Sequence, residues 1–422
     1  MKKLIQKILY GLAKLTLARY RPRVIAVTGS VGKTSTTGAI VKVLETKFSV
    51  RGSAGNYNNE FGVPLTIINE KSGGRNLLLW ILIIIKAVLK LIYADYPQVL
   101  VLELGADRPG DIGYLAGMLG RIEIGVLTDI GISHLEFFSS QSELAKEKWT
   151  LIKKLDRSAL AILNFDNPKI FEYRTQAKAD VWGYGFNPSA QIMISDFQII
   201  RVNDKWGVNF KIHHNGNVVP YFLPDALGKP PVYAAAAAVG CAVRFGIDLA
   251  TASEILKSFS PPPGRLRMLS GIKNTLIIDD TYNAAPDSTF AALEALSQIS
   301  SGRKVIAFGG MTELGNKTES GHREVAGKIM ENNIDLVFLV GENARIVEHE
   351  LRKRKFGGQV KWFETADQAR IPIQDELREQ DTILVKGSQA GRMEKIVKEI
   401  MDEPLRAEEL LVRQSQKWLA TP

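Results

Sequence analysis

Residues 28–35 have the residue types and spacing of a phosphate-binding loop. Their sequence is Thr-Gly-Ser-Val-Gly-Lys-Thr-Ser, between an apolar, β-branched run at 24–27 and a helix-length segment. Glycines let backbone N–H groups turn toward an anion, and the N-terminus of the following helix adds a favourable dipole. Lys33 would contact the β- and γ-phosphates of a nucleotide, and the Thr34 hydroxyl would hold Mg²⁺. Because Val27 occupies the position of the first glycine in the longer GxxxxGK[ST] pattern, this is the shortened form, TGxxGKT.

The whole loop is predicted to bind ATP. Its binding residues are Gly29, Ser30, Val31, Gly32, Lys33, Thr34 and Ser35.

Two further charged residues have positions that suit magnesium and phosphate. Glu103 ends a predicted strand at 99–104, and parallel α/β sheets bind ligands at the carboxyl ends of their strands. A carboxylate there can hold Mg²⁺, which prefers oxygen ligands, although a strand-end glutamate taken alone is more often a solvated charge. Arg265 follows a proline-rich stretch and Gly264, and its permanently charged, forked guanidinium suits phosphate.

Together with other segments in the same order, these motifs resemble the Mur ligase superfamily. The shortened loop also occurs in folylpolyglutamate synthases, but residues 55–64 (GNYNNEFGVP) resemble the GNxNNxxGVP segment of the dipeptide-adding Mur ligases. Residues 134–136 are similar to the family's HLE segment, and 279–284 (DDTYNA) to its DDSYNA. Residues 309–315 (GGMTELG) with His322, and 386–388 (KGS), complete a resemblance that covers about 24–398.

The resemblance implies a role for individual residues. Lys33, His134 and Lys148 are expected to be catalytic, with Glu103 and Thr34 on one Mg²⁺ and His134 on a second. Lys148 falls where the family has a carbamylated lysine that ligates magnesium, and Lys146 is the rival for that position.

In the second domain, the residues expected to contact ATP are Arg265, Asp280 and Asn283. The residues expected to bind the acceptor or the incoming amine are Asn56, Asn58, Asn59, Glu313, His322, Lys386 and Ser388.

As the function, the resemblance implies an ATP-dependent peptide ligase of cell-wall biogenesis. Such an enzyme adds D-alanyl-D-alanine to a peptide-bearing cell-wall precursor through an acyl phosphate, and releases ADP and phosphate. The alternatives within the family are a pseudomurein peptide ligase, a tripeptide-forming ligase and a polyglutamylating ligase. A membrane-bound P-loop ATPase scaffold is a different alternative, and the second metal site argues against it.

Apolar runs alternate with helix-length segments, which predicts an α/β fold. We expect a P-loop central domain at 24–262, mostly a parallel sheet with an antiparallel edge at 192–222, and a smaller Rossmann-like domain at 263–422. The proline-rich stretch at 260–264 marks the boundary, because neither a helix nor a central strand tolerates it. Four or five strands are predicted for the second domain, and a terminal helix at 405–419.

Residues 1–23 and 75–95 are unusual for this family. The first segment is predicted to be a basic amphipathic helix, with Lys3, Lys7 and Lys14 opposite Leu4, Ile8, Leu12 and Leu15. The second contains nine consecutive apolar residues at 77–85, too few to span a bilayer. A buried core helix and a membrane-surface helix are both compatible with it. We therefore expect a cytoplasmic protein, with peripheral contact of 1–20 and 77–93 to the inner face of the membrane as a hypothesis.

Two departures from the family pattern affect substrate recognition. The usual N-terminal domain that holds the UDP end of the acceptor is not found before the P-loop, which suggests an acceptor presented at the membrane on a lipid carrier. The family's G-x-H-N segment near adenine is replaced at 228–234 by GKPPVYA, so that adenine contact is not carried over.

Charge and cysteine content narrow the class of protein. The net charge is +9, which suits anionic partners, but no recognised nucleic-acid module or interleaving of aromatic and basic residues is present. The single cysteine, Cys241, excludes an internal disulfide and any multi-cysteine zinc site.

Overall fold

The computed structural model describes residues 2–55, 57–93, 95–131, 138, 140–203, 205–299 and 302–420. Asn56 and His134, two predicted site residues, lie outside these ranges. Within the described ranges, none of the helices combines the length and the apolar character needed to cross a bilayer.

The first sheet has nine strands in the order β2-β3-β1-β4-β5-β6-β7-β8-β9. Their bounds are β1 Arg23–Thr28, β2 Val50–Gly52, β3 Val99–Glu103, β4 Ile124–Leu127, β5 Leu160–Asn164, β6 Asp180–Gly185, β7 Ile192–Val202, β8 Lys205–His214 and β9 Asn217–Pro224. The sheet is parallel from β2 to β7 and antiparallel from β7 to β9, which confirms the predicted antiparallel edge.

The turn between β8 and β9 shows why this edge forms locally. Asn215 (φ 48°) and Gly216 (φ 78°) both have left-handed backbones, and His214 pairs with Asn217 around them. Two central residues with positive φ make the type I′ turn whose twist matches antiparallel strands, and Asn-Gly is its preferred sequence.

Helices cover both faces of this sheet. Their bounds are α1 Lys2–Tyr20, α2 Lys33–Leu44, α3 Gly62–Ile68, α4 Leu77–Tyr93, α5 Asp111–Leu119, α6 Gln141–Lys153, α7 Pro168–Tyr173, α8 Lys229–Arg244 and α9 Leu249–Leu256. One apolar core lies under α2, α8 and α9, and the other under α3, α5 and α6. The layers thus leave the carboxyl ends of the parallel strands open as a site.

A separate apolar cluster joins α1 and α4 over α3. Leu9 and Leu12 of α1 pack there with Trp80 and Ile83 of α4. The predicted faces of α1 are only partly right, because Leu4 and Leu15 are exposed among the lysines while Ile5 is buried instead. Helix α4 buries one stripe only, so of the two alternatives for this segment the structure does not show the buried core helix.

The second sheet has six strands in the order β10-β11-β15-β12-β13-β14, more than the four or five predicted. Their bounds are β10 Arg267–Gly271, β11 Thr275–Asp280, β12 Lys304–Phe308, β13 Leu336–Val340, β14 Gln359–Phe363 and β15 Thr382–Lys386. Strand β10 runs antiparallel to β11, whereas the other pairs are parallel.

Among the described residues, the α-helices that accompany this sheet are α10 Pro286–Ser297, α11 Thr318–Glu331, α12 Arg345–Lys353, α13 Ala366–Glu376, α14 Glu394–Ile400, α15 Ala407–Leu410 and α16 Gln416–Leu419. The prediction of a single helix at 405–419 is wrong. Arg413, between α15 and α16, has a left-handed backbone (φ 59°), and its guanidinium donates to the carbonyl oxygens of Thr281 and Tyr282 and to Glu394. These contacts dock the C-terminal segment beside the turn after β11, which a continuous helix would not allow.

Candidate active site

The phosphate loop lies between β1 and α2, at the carboxyl edge of the first sheet. Gly29 (φ 151°) and Gly32 (φ 84°) have backbone conformations that L side chains rarely adopt. A Cβ on Gly29 would lie 2.0 Å from Thr128 Oγ1, so this close approach also requires glycine. The Thr128 hydroxyl donates to the Val31 carbonyl oxygen at 2.6 Å, which ties the loop to the end of β4.

The Lys33 side chain folds over this loop. Its Nζ donates to the Gly29 carbonyl oxygen at 2.7 Å and to that of Ser30 at 3.3 Å. Burial lowers the pKa of Lys33, and the nearby Glu103 carboxylate opposes that shift. The ammonium therefore stands at the mouth of the loop, where a phosphate chain would replace its two backbone partners.

Glu103, Thr34 and Asn58 form one hydrogen-bonded group. Val27 pairs with Glu103 in the register of β1 and β3, which places the carboxylate beside the loop. The Thr34 hydroxyl donates to Glu103 Oε2 at 2.9 Å, and Asn58 Nδ2 donates to Oε1 at 2.9 Å. Glu103 is only 2% exposed, so both contacts hold a buried carboxylate in one orientation.

This group fits a magnesium ion that shares its coordination with phosphate. In the part of the chain that the structure describes, no three or more His, Cys, Asp or Glu side chains gather as a metal cluster. Mg²⁺ ordinarily takes only one or two protein carboxylates, with substrate phosphates and water as its other ligands. Thr34 and Glu103, adjacent at the phosphate loop, supply such a minimal oxygen set.

Lys148 reaches the same loop from α6. It is buried, and its Nζ donates to the Gly29 carbonyl oxygen at 3.2 Å. Burial, with help from the positive charge of Lys33, lowers the pKa of Lys148 to about 7, although the Asp129 carboxylate opposes the shift. Lys146 is exposed on the other side of the helix. The structure thus places Lys148 at the site and keeps Lys146 away from it.

Asp129 was missed by the sequence analysis. It follows β4 as Glu103 ends β3, so its strand-end position was the available signal. Burial raises the pKa of Asp129 to about 6, and Asn167 Nδ2 donates to its Oδ1 at 2.7 Å. A Cβ on Gly131 would lie 3.1 Å from Asp129 Oδ2 and 2.6 Å from Asp287 Oδ2 of the second domain. Two carboxylates therefore face each other across the cleft.

Arg265 bridges the two domains. Its Nη2 donates to Thr34 Oγ1 at 3.4 Å, and its guanidinium carbon lies 3.8 Å from the centre of the Tyr282 ring. The guanidinium is held by stacking while it faces the phosphate loop, as the predicted ATP contact requires.

Lys386, a predicted substrate residue, makes an ion pair at the inter-domain cavity. Its buried Nζ contacts Asp280 Oδ2 at 2.5 Å and donates to the Asn283 carbonyl oxygen at 3.1 Å. Both partners belong to the group predicted to contact ATP, so Lys386 lies beside those residues. The KGS segment alone does not show which ion pair its lysine makes.

His322 and Ser388 support a turn at residues 309–311. His322 is fully buried, its Nε2 accepts from the Met311 N–H at 2.9 Å, and its Nδ1 donates to the Thr318 carbonyl oxygen at 2.6 Å. Burial lowers the pKa of His322, which favours the neutral ring that these two bonds need. The Ser388 N–H donates to the Gly310 carbonyl oxygen at 3.1 Å. These contacts position the turn, whereas Glu313 beside it is exposed.

Asn59 also has a local structural contact. Its Oδ1 accepts from the N–H groups of Phe61 and Gly62 at 3.1 and 2.9 Å, at the start of α3. Asn58, by contrast, reaches Glu103, so the two neighbouring asparagines differ in what they hold.

A cavity of about 240 Å³ runs between the phosphate loop and the second domain. Beyond the loop it is lined by Tyr184, Pro230, Pro231 and Tyr233, and the Tyr233 hydroxyl donates to Asp166 Oδ2 at 2.9 Å. Pro230, Pro231 and Tyr233 belong to segment 228–234, which replaces the family's G-x-H-N pattern, whereas Tyr184 comes from β6. Rings and prolines offer flat apolar surfaces for a nucleobase.

Comparison with known proteins agrees with this arrangement. The family model described as the Mur ligase middle domain matches residues 27–79 and 82–242, and the one described as Mur ligase, glutamate ligase domain matches 264–389. The chain is 30% identical to UDP-N-acetylmuramoyl-tripeptide–D-alanyl-D-alanine ligase of Bacillus subtilis, over 94% of this chain and 80% of that protein. It is 29% identical to the Escherichia coli enzyme of the same name, over 90% of this chain and 77% of that protein.

Among solved structures, the fold is similar to that of the MurF ligase from Thermotoga maritima in complex with ADP. The TM-score is 0.79 at 24% identity, with 96% of this chain and 84% of the other covered. Two matched domain models and a 30% identical relative together establish the relationship: this chain belongs to the Mur ligase family.

Proposed function

We propose that this chain is an ATP-dependent ligase that joins D-alanyl-D-alanine to the terminal carboxylate of a cell-wall stem peptide. The observation that carries the proposal is the convergence of Lys33, Thr34, Glu103 and Lys148 on one phosphate loop, faced by Arg265 of the second domain. The relatives in Bacillus subtilis and Escherichia coli are named for that reaction.

In the first step, an oxygen of the peptide carboxylate attacks the γ-phosphorus of ATP, and the bond from that phosphorus to the bridging oxygen breaks. The products are an acyl phosphate and ADP. Two anions must meet, so positive charge has to be placed at the point of contact. Lys33 from the loop and Arg265 from across the cleft supply it from opposite sides.

Glu103 and Thr34 would hold a magnesium ion against the phosphates, with Asn58 keeping the carboxylate in place. A bound Mg²⁺ neutralises phosphate charge and aligns the transferred group. His134, for which the resemblance implies a second magnesium, lies outside the described residues, so that role stays a prediction.

Lys148 is the lysine that we propose to be carbamylated. The ammonium would first lose a proton; the Nζ lone pair would then attack the carbon of CO₂, form an N–C bond and lose a second proton, so that a carbamate anion replaces the cation. Only an unprotonated amine can do this, and a pKa of about 7 leaves a large share of Lys148 unprotonated at neutral pH. Its burial beside the Gly29 carbonyl, with Lys146 exposed, supports the choice between the two lysines.

In the second step, the amine of D-alanyl-D-alanine attacks the acyl carbon, the tetrahedral intermediate expels phosphate, and the nitrogen loses a proton. Water would hydrolyse the acyl phosphate, so the site must exclude it. The cleft between the domains, joined by the contact of Arg265 with Thr34, would provide this enclosure.

The proposal is tested by phosphate release from ATP and Mg²⁺. We expect release that depends on both D-alanyl-D-alanine and a muramoyl-tripeptide acceptor, supplied in one arm as the UDP-linked form and in the other as the lipid-linked form. Lys33→Ala should abolish release, whereas Lys42→Ala, a change on the exposed side of the same helix, should leave it unchanged.

Stimulation by one acceptor identifies the carrier. If neither acceptor stimulates release but Lys33-dependent ATP hydrolysis persists, the D-alanyl-D-alanine assignment is wrong, and other amines and carboxylates must be tried on the same site.

A further inference from the structure

The outer face of α4 is unusual for a helix on the surface of a protein. Trp80, Ile83 and Ala87 form its buried stripe. Nine large apolar side chains on the same helix are at least 45% exposed, and Leu78 reaches 74%. Surface helices normally carry charged residues on the side away from the core. A contiguous apolar face of this size marks a binding surface.

Helix α1 lies beside α4 and runs in the same direction. Lys2 and Ile5 meet Arg75 and Trp80 around a shared pocket at the start of both helices, and the Tyr20 hydroxyl donates to the Lys90 carbonyl oxygen near their ends. The outward side of α1 presents lysines together with Leu4 and Leu15, which are 62% and 57% exposed. The outward sides of α1 and α4 together are called the docking surface below.

The charged residues of these helices are all of one sign. They contain seven basic residues and no acidic one, in a chain whose net charge is +9. Lys90 is paired with Glu70 at 2.6 Å on the inner side, whereas Lys3, Lys7, Lys14 and Lys86 are exposed. Apolar side chains next to exposed lysines, on helices that themselves contain no carboxylate, are the pattern of a helix that lies in the interface of an anionic membrane.

We propose that the docking surface binds an anionic lipid bilayer peripherally. The leucines and isoleucines of α4 enter the boundary between headgroups and acyl chains, and the lysines contact lipid phosphates. The helix lies flat, because Trp80 and Ile83 anchor its whole inner stripe to α1 and α3. With 17 residues it is about 25 Å long, enough to lie along the interface. This binding requires no ligase chemistry and is independent of the proposed function.

The test is flotation of the full chain with vesicles on a density gradient. We expect the protein to float with phosphatidylcholine vesicles that contain phosphatidylglycerol, and about a hundredfold less with phosphatidylcholine alone. High salt should release much of it, since exposed charges are screened. Wild-type protein that stays at the bottom with the anionic vesicles overturns the proposal.

Substitutions separate the apolar contribution from the charge. Leu78→Gln, Ile85→Gln and Leu89→Gln combined should abolish flotation, because the three side chains are all at least half exposed and belong to the outer face. The matched control combines Val218→Gln, Ile371→Gln and Leu405→Gln, which are exposed apolar residues elsewhere, and should float like the wild type. Equal flotation of the two triple variants contradicts the proposal.

The same logic applies to the lysines. Lys3→Gln, Lys7→Gln and Lys14→Gln combined should lower binding to anionic vesicles by about a hundredfold. Each charge that is removed should lower binding roughly tenfold or less. Lys169→Gln, Lys257→Gln and Lys328→Gln remove the same number of exposed charges away from α1 and should have little effect.

A second copy of the chain is the competing occupant. Light scattering after size exclusion tests this alternative. If the wild type is a dimer and does not float, and the Leu78, Ile85 and Leu89 triple variant is a monomer, then the docking surface is a dimer interface instead of a membrane-binding surface. Circular dichroism and nucleotide binding of each variant show whether it is folded, so loss of flotation is not confused with unfolding.

Discussion

Two regions reverse the usual distribution of charged and apolar residues, in opposite ways. One is the carboxyl edge of β1, β3 and β4, and the other is the docking surface on α1 and α4. At the edge, the charged groups of Glu103 and Lys148 are buried. On the docking surface, leucines and isoleucines are exposed. Burying a charged group and exposing an apolar side chain both cost free energy unless another interaction offsets that cost. A folded protein retains few such regions without a function.

The difference lies in where the compensation comes from. Glu103 accepts from Thr34 and Asn58, and Lys148 donates to the Gly29 carbonyl, so the chain itself satisfies the buried charges. Within the described residues, the apolar side chains of the docking surface have no comparable cover. The first region is thus organised before a ligand arrives, whereas the second requires an external partner.

The two faces of α4 give the largest expected effect. Trp80→Ala should lower the free energy of unfolding by about 3–5 kcal/mol, because Trp80 is buried in the cluster with Leu9 and Leu12. Leu78→Ala, at the most exposed position of the helix, should change it by about 0.5 kcal/mol or less. Urea unfolding of both variants measures this. Similar losses at the two positions would mean that the outer face is covered in the free protein.

The magnesium group at the edge gives the next effect. Glu103→Gln should lower the rate of ligation by about a hundred- to a thousandfold and raise the Mg²⁺ concentration needed, because a neutral amide is a poor magnesium ligand. The control is Glu123→Gln, which lies before β4 and pairs with Arg23 at the opposite end of the strands. Phosphate release is measured for both variants across a magnesium titration. Similar rates and a similar Mg²⁺ requirement in the two variants would contradict the assignment.

Lys148 gives the smallest effect per step, because its effect on stability is spread over several pH units. Its pKa is about 7 in the folded state and near 10.5 when unfolded, so between these pH values the unfolded chain binds more protons. Stability of the wild type should therefore rise with pH from about 7 to 10, relative to Lys148→Met, by at most about 1.4 kcal/mol per pH unit. Urea unfolding of both proteins in CO₂-free buffer gives the difference at each pH.

Lys146→Met serves as the control, since that side chain is exposed and should show no such pH dependence. With ¹³C-labelled bicarbonate, a carbamate resonance should appear in the wild type and in Lys146→Met but not in Lys148→Met. A resonance that disappears with Lys146 instead would reverse the choice between the two lysines.

Much of the fold could be predicted because its signals are local. The alternation of apolar runs with helix-length segments predicted the parallel strands, and the Asn-Gly turn at 215–216 belongs to the antiparallel edge that was expected. The break between α15 and α16 was missed, since it depends on contacts of Arg413 with the turn after β11, which is distant in the sequence. Strand β10 was also missed, although its partner β11 follows it directly in the chain.

The candidate site divides in the same way. The loop at 28–35, Glu103 and Arg265 were recognisable from residue type, spacing and strand-end position, because backbone conformation and the topology of parallel sheets place them without further information. Asp129 had the same strand-end signal and was overlooked. The pairing of Lys386 with Asp280, and the two backbone partners of His322, had no such signal.

By itself, the sequence determined the order of the motifs, the phosphate loop and the family to which they belong. Only the tertiary structure decided which of two nearby lysines enters the site. Lys148 lies on the side of α6 that faces the phosphate loop, whereas Lys146 lies on the exposed side. It also decided that α4 is buried on one stripe only. Burial depends on what packs against a helix from elsewhere in the chain, and a run that is apolar on every side does not show which side will be covered.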